Sequence, residues 1–368
     1  MDRTTHAGLS DYRYLVVAEG FFGPLTSKTA NSAVRYLPDR VLAVVDSGQA
    51  GRTVGEVLGF GGSIPVLGRL EEGLGLGATA LLVGIAPQGG RLPEAWRATL
   101  LAAMAAGLHL VSGLHLHLGD DPELAEAARA RGVRIHDLRR PPADLPVSTG
   151  AARNVDALTV LTVGTDCNIG KMTAGLQVRD ALARRGVRVG FAATGQTGIL
   201  IEGWGIAVDA VVADFIGGAA ERLVLQAAPG NDVVLVEGQG SLVHPGYSGV
   251  TLGLLHGSMP DAQLLCHQPT RVCPFSYQPV YEWMRLPSVP EMIRICEDAI
   301  APLRASPVIG ISLNTFDLDD AAARDAIART EDETGLPATD PVRYDPAPLA
   351  DAILAARERK AAPAATAV

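Results

Sequence analysis

Short β-branched apolar runs alternate along this chain with stretches whose apolar residues recur at helical spacing. That alternation marks βαβ units and a parallel sheet. In the first half, Tyr14–Ala18, Val41–Val45, Ala80–Ile85, His109–Ser112 and Val133–Asp137 predict strands, and Ser27–Tyr36, Leu92–Ala106 and Pro122–Ala130 predict helices. This pattern is Rossmann-like. Pro141 to Gly150, rich in proline and small polar residues, reads as a linker. In the second half, Ala157–Val163, Val187–Ala193, Val233–Glu237, Leu264–His267 and Val308–Asn314 predict strands, and Lys171 to Arg184 predicts a helix directly after a glycine loop. Pro337–Arg343 predicts a short strand and Pro348–Ala356 a last helix. The expected domains are residues 1–145, Rossmann-like, and 146–358, built around the glycine loop. Residues 359–368 have the composition of a disordered tail.

At 368 residues the chain suits two domains, each able to close its own core. Nearly half of it is apolar, with a formal net charge of −9 and basic residues scattered. A nucleic-acid partner is therefore not expected, because phosphate-backbone binding needs a concentrated basic face. The N-terminus lacks the apolar stretch of a signal peptide, and no segment reaches the roughly 20 apolar residues of a membrane span. A cytoplasmic location without membrane contact is the expectation, and the apolar-rich composition suggests a homo-oligomer. The four cysteines, Cys167, Cys266, Cys273 and Cys296, are too dispersed for a zinc-type pair and read as reduced.

The chemistry centres on Gly164-Thr165-Asp166-Cys167-Asn168-Ile169-Gly170-Lys171. A loop between a strand and a helix N-terminus offers backbone N–H groups and a positive dipole end to an anion. Lys171 adds a full charge at the terminal phosphates. The usual spacing is Gly, four residues, Gly-Lys and then Ser or Thr. Here the leading glycine comes one position earlier and Met172 occupies the hydroxyl position. A Mg²⁺ ion would then fall to Thr173, Asp166 or another carboxylate. Asp232 to Gly240 is an apolar run ending in Glu237, at the edge where open α/β sheets place ligands. Val308 to Thr315 delivers Asn314, whose amide can pair with adenine, to the same edge.

These three segments, in this order, resemble dethiobiotin synthetase and its relatives. The resemblance implies a P-loop NTPase-like, parallel-sheet C-terminal domain. It also implies Lys171 and Thr173 at phosphates, Asp166 and Glu237 near metal, and Asn314 at the base. A wider resemblance covers nearly the whole chain. Ala193 to Leu200, Val208 to Phe215, Leu254-Leu-His-Gly257 and His267-Gln-Pro-Thr-Arg271 carry it in the second half. Lys28-Thr-Ala30, Gly84 to Gly90, Ser112-Gly-Leu-His115 and Ile135 to Arg139 carry it in the first. Together they are similar to a family catalogued as a domain of unknown function, of which some members are D-glutamate N-acetyltransferases.

Read by their chemistry, Thr194, Gln196 and Thr197 suit a loop closing over a polar ligand, and Arg271 suits a carboxylate or phosphate. Gln239 and His244 lie in the glycine-containing loop after Glu237. An imidazole suits a base on an amine, with His244 first and His256 and His267 next, and Lys171 completes the catalytic set. Asp209 and Asp214 flank a strand-like run, one of them a helix cap. His115, His117 and His136 read as structural rather than as a metal cluster. Lys28, Arg91 and the Gly89-Gly90 turn are candidates for binding substrate carboxylates. The leading functional expectation is acylation of the amino group of an acidic amino acid by acetyl-CoA, with oxyanion donors near Gly195–Gly198. The rivals are an ATP- and Mg²⁺-dependent carboxylate–amine ligase and a nucleotide-binding sensor without turnover.

Overall fold

The computed structural model describes residues 6, 8–85, 92–275 and 280–362. Two compact units emerge, one comprising Arg3–Pro142 with Gly195–Ala210, the other Ala143–Thr194 with Val211–Val368.

The first unit runs β1 (Tyr14–Val17), α1 (Lys28–Tyr36), β2 (Val41–Val45), α2 (Val54–Leu58), β3 (Val66–Leu67), β4 (Ala80–Val83), α3 (Arg97–Ala105), β5 (His109–Ser112), α4 (Pro122–Arg131) and β6 (Ile135–Asp137). Its sheet is parallel throughout, in the order β3-β2-β1-β4-β5-β6. That is the Rossmann order. Leu15, Val17, Leu81, Val83 and Leu110 from the strands pack with Trp96, Leu100 and Met104 from the α3 side, all within 3% of full burial. Each such side chain contributes about 1.5–3 kcal/mol. The helix expected from Leu92 begins as a 3-10 turn at Glu94–Trp96 and becomes α-helical only at Arg97. The pair α2 and β3 gave no sequence signal because both are too short to show a period.

The second unit continues with β7 (Leu158–Gly164), α5 (Lys171–Arg184) and β8 (Val189–Ala192). Next comes α6 (Gln196–Glu202), which belongs to the first unit. The chain then forms α7 (Ala213–Ala227), β9 (Val233–Val236), α8 (Ser248–Ser258), β10 (Ala262–His267), α9 (Val289–Ile300), β11 (Val308–Leu313), α10 (Asp320–Thr334), β12 (Ala338–Thr339) and α11 (Ala347–Ala361). All strands are parallel in the order β12-β11-β10-β7-β9-β8. The direction of winding reverses at β7, between β9 and β10, and in open α/β sheets ligands bind at such a switch point.

Three sequence expectations change here. The run between Asp209 and Asp214 is no strand: Val208–Ala210 is a 3-10 turn and Asp214 lies inside the first turn of α7, whose N-cap is Val212. Asp209 instead pairs with Arg139, whose Nε also donates to Gly113 O at 2.7 Å. The tail begins later than its composition suggested, since α11 carries Arg359 and Lys360 and ends at Ala361. Lys360 Nζ donates to Asp261 at 2.7 Å and to the carbonyls of Val155 and Ala157, which ties that last turn down.

The proline-rich stretch before β7 is irregular yet fixed. Buried Glu221 on α7 receives N–H bonds from Thr149 and Ala151 and hydroxyl bonds from Thr149 and Ser148. Burial pushes the Glu221 carboxyl up, but these donors together hold it below the usual range. Gly218, one turn earlier, lies so close to this segment that a Cβ there would fall 1.7 Å from Pro146 O. Cys266 and Cys296 are buried, Cys167 and Cys273 half-buried, and none forms a disulfide. Among the described residues no helix is long and apolar enough to cross a membrane.

Candidate active site at the phosphate-loop edge

Because all strands of the second sheet run one way, their C-terminal ends share one edge. Gly164 ends β7, Thr194 follows β8, Glu237 follows β9, His267 ends β10 and Asn314 follows β11. The sequence-predicted residues of this unit therefore meet at the switch point.

The loop from Gly164 to Gly170 has the shape its residues allow. Asn168 (φ 52°) and Gly170 (φ 103°) are left-handed, a region asparagine and glycine enter most easily. This turns the chain into α5, whose first residue, Lys171, is 6% exposed and donates from Nζ to Asp166 O at 2.7 Å. Met172 and Thr173 are half-buried in the next positions. Thr165 N donates to Cys266 O at 3.1 Å, joining the loop to β10. The Thr165 hydroxyl and His267 Nδ1 are 3.1 Å apart.

Asp166 is fully buried. Its Oδ2 accepts from Arg271 Nη1 at 2.8 Å and from Phe275 N at 2.7 Å, whereas Oδ1 is buried without a hydrogen-bond partner. Arg271 also donates to Gln268 Oε1 at 2.6 Å and lies over the Phe275 ring. The fork read as a ligand clamp thus grips an internal carboxylate. Glu237 accepts at Oε2 from Thr194 N at 2.9 Å, and its carbonyl accepts from the Thr194 hydroxyl at 2.8 Å. Gln239 Nε2 donates to Thr194 O at 2.6 Å. Asp166 and Glu237, expected to share Mg²⁺ with Thr173, are each held by donors of the protein itself.

His244 and His267 differ in their surroundings. His244 is 1% exposed, accepts from Gly246 N at Nδ1 (3.0 Å) and directs Nε2 toward Phe275 O at 3.4 Å. Tyr247 and Tyr281 pack around its ring at 4.6 and 5.0 Å between centroids. His267 is engaged only at Nδ1 among the described contacts, and burial pushes its pKa down to about 4. It is neutral at physiological pH.

Asn314 N donates to His267 O at 2.8 Å, and the Asn314 amide reaches the loop, its Nδ2 lying 3.9 Å from where a Cβ on Gly170 would be. Sequence reading missed Phe316, whose 63%-exposed ring stands two residues further on with its N–H directed at Asn314 Oδ1. It also missed Asp340, whose buried carboxylate fixes Thr315 through two bonds of 2.7 and 2.9 Å. An apolar residue directly after a strand-end amide was the available signal for Phe316.

Gln196 and Thr197 are not in a loop: both lie in the first turn of α6, buried, with the Gln196 side chain packed against Gly113. In the first unit the histidines face separate partners, His136 toward the Tyr12 hydroxyl, His115 toward Asp209 and His117 toward Asp120. Lys28 opens α1. Gly89, Gly90 and Arg91 lie outside the described residues.

Fold and site define a two-domain α/β protein, a Rossmann-order sheet followed by a P-loop domain. Residues 146–350 match the P-loop domain of unknown function DUF1611_C, and residues 47–141 match its Rossmann-like partner DUF1611_N. The chain belongs to the DUF1611 family, the family its motifs resembled. It is 42% identical over 294 residues, 78% of this chain and 84% of the relative, to a D-glutamate N-acetyltransferase of Tritonibacter scottomollicae. A second protein of that name, from a Pseudoalteromonas species, is 38% identical over 74% of this chain and 80% of its own length. A solved DUF1611 family protein from Anabaena variabilis superposes with a TM-score of 0.88 at 39% identity, covering 94% of this chain and 99% of that one.

Proposed function

We propose that this protein is an N-acetyltransferase that moves the acetyl group of acetyl-CoA to the amino group of D-glutamate or a closely similar acidic amino acid. The observation that carries this reading is the 42% identity, sustained over 84% of its length, to a protein bearing that name. The phosphate-loop edge supports it. The loop N–H groups and Lys171 suit the CoA pyrophosphate, and Asn314 with the exposed Phe316 ring suits the adenine, by amide pairing and stacking.

In the reaction the substrate amine attacks the thioester carbonyl, a C–N bond replaces the C–S bond, and CoA leaves as the thiol. The ammonium must first lose a proton, and His267 is the better placed of the two imidazoles. It is already neutral, and in the tautomer whose Nδ1–H donates to the Thr165 hydroxyl the lone pair belongs to Nε2. His244, with both nitrogens engaged by backbone, serves another purpose.

The test is incubation with D-glutamate and acetyl-CoA, following free thiol, against a parallel incubation with Mg-ATP, following ADP. Thiol release that depends on D-glutamate supports the acetyltransferase. Amino-acid-dependent ADP release without thiol would instead identify the ligase, and silence in both arms with tight nucleotide binding would identify the sensor.

A further inference from the structure

At the foot of the phosphate loop, three groups that donate electron pairs converge. A carboxylate oxygen of Asp166, the Sγ of Cys167 and a ring nitrogen of His244 lie within 4.8 Å of one another. The convergence is not an exposed acidic patch, since Asp166 is fully buried and His244 is 1% exposed.

The hydrogen bonding around them leaves one carboxylate oxygen without a partner and one imidazole nitrogen held only by a backbone N–H. Arg271 and the Phe275 N–H satisfy Oδ2 of Asp166, and its Oδ1 remains buried with no partner. An unpaired buried carboxylate oxygen is costly unless a cation or donor meets it. For His244, the Phe275 carbonyl faces Nε2 and requires a proton there, so the lone pair belongs to Nδ1. Nδ1 accepts only a backbone N–H, from Gly246 in a turn, which a stronger Lewis acid can replace. A ligating histidine whose other ring nitrogen donates to a backbone carbonyl is the usual arrangement around bound metals.

We infer that Asp166, Cys167 and His244 form a binding site for a zinc-class divalent cation. The donor set decides the class. Thiolate and imidazole select Zn²⁺ and similar borderline ions, whereas Mg²⁺ takes oxygen donors. Three protein ligands leave one position open, the coordination of a zinc ion that can polarise a substrate oxygen. The site lies one residue from the loop threonine that contacts His267, so such an ion stands at the acyl-transfer edge. It also gives buried His244 a role that does not require it to be the base. The Mg²⁺ set expected from sequence shares only Asp166 with this site.

The test uses the full chain stripped with chelator, without amino acid or acetyl-CoA, so that its outcome is independent of the acetyltransferase reading. Calorimetry with ZnCl₂ should show binding of about one ion per chain, not displaced by a large excess of Mg²⁺. Cys167→Ser and His244→Ala should each weaken it by about tenfold or more, while Thr173→Ala and Glu237→Gln should leave it within about twofold. Co²⁺ in place of Zn²⁺ should give a thiolate charge-transfer band that Cys167→Ser abolishes. If His244→Ala fails to fold by circular dichroism, the cobalt band and Cys167→Ser decide. Absence of Zn²⁺ binding, binding indifferent to Cys167→Ser, or binding lost instead in Glu237→Gln would overturn the site.

Discussion

Arg271 Nη1 donates to Oδ2 of Asp166 at 2.8 Å, with the carboxylate fully buried and the arginine side chain 16% exposed. The pair ties the segment after β10 to the phosphate loop, 105 positions earlier in the chain. Removing the guanidinium strands a buried charge, whereas the pair itself contributes little beyond an apolar replacement. Arg271→Ala should therefore destabilise the P-loop unit by about 3 kcal/mol. A calorimetric scan should show its Tm falling by roughly 6–12 °C. Arg271→Ala with Asp166→Asn should recover part of that loss, and a double variant no more stable than the single one would show that the two side chains are not coupled.

Lys171, whose Nζ donates to Asp166 O at 2.7 Å, is the cation of the loop proposed to hold the CoA phosphates. Lys171→Ala should weaken CoA binding by at least about tenfold, equivalent to about 1.4 kcal/mol, in isothermal titration. Unchanged affinity would refute the phosphate assignment of this loop.

The Glu221 carboxyl is held below its ordinary value by the donors of Ser148, Thr149 and Ala151, which outweigh its burial. A depressed carboxylate contributes stability that is fully present above its unfolded pKa and is lost as pH falls through its folded one. Glu221→Gln should lower Tm at pH 7 and show a shallower decline than the parent below about pH 4.5, the window of an ordinary glutamate. A parallel acid profile for the two proteins would remove Glu221 from the account.

Gly218→Ala tests the same fixed segment by sterics. The new Cβ would fall 1.7 Å from Pro146 O, so one of two backbones must move. The expected cost is about 3 kcal/mol or more. Gly249, where a Cβ meets nothing within 4 Å, serves as the control. Equal melting of Gly218→Ala and Gly249→Ala would mean that residues 141–150 are a free linker after all.

Burial lowers His267 to about 4 from its ordinary 6.5. Between those values the unfolded chain binds a proton that the folded one does not, so stability rises with pH across the window and falls on acidification from 6.5 toward 4. His267→Gln should flatten the Tm profile between pH 6.5 and pH 4. It should also lower kcat for acetyl transfer by about 10²-fold or more, with little change in KM for acetyl-CoA. Wild-type kcat without an inflection near pH 6.5 is the companion expectation.

Much of this architecture follows from one-dimensional pattern. The strands Val41–Val45 and His109–Ser112 and the helix Lys171–Arg184 stand where period and breakers placed them, because a buried parallel strand must be apolar along its whole length and a glycine loop must precede its helix. The loop chemistry was equally local, since backbone N–H groups and Lys171 act from within eight consecutive residues. The helices α7 to α10 were not read from the sequence. Two of them, α7 and α8, pack closely on each other and carry glycines and alanines in place of a clear apolar stripe.

What the tertiary structure alone decided is which polar groups are already used. Arg271 and Glu237 look like ligand-binding charges in the sequence, yet each is engaged by protein atoms from another element. Asp166, Cys167 and His244 become a cluster only because β7 and the loop after β9 end at the same sheet edge. Sequence specifies periodicity and local backbone conformation, which depend on neighbours a few residues apart. Desolvation and the partner of a buried charge depend on residues that folding brings from 70 to 105 positions away, as with Ala151 and Glu221 or Asp166 and Arg271.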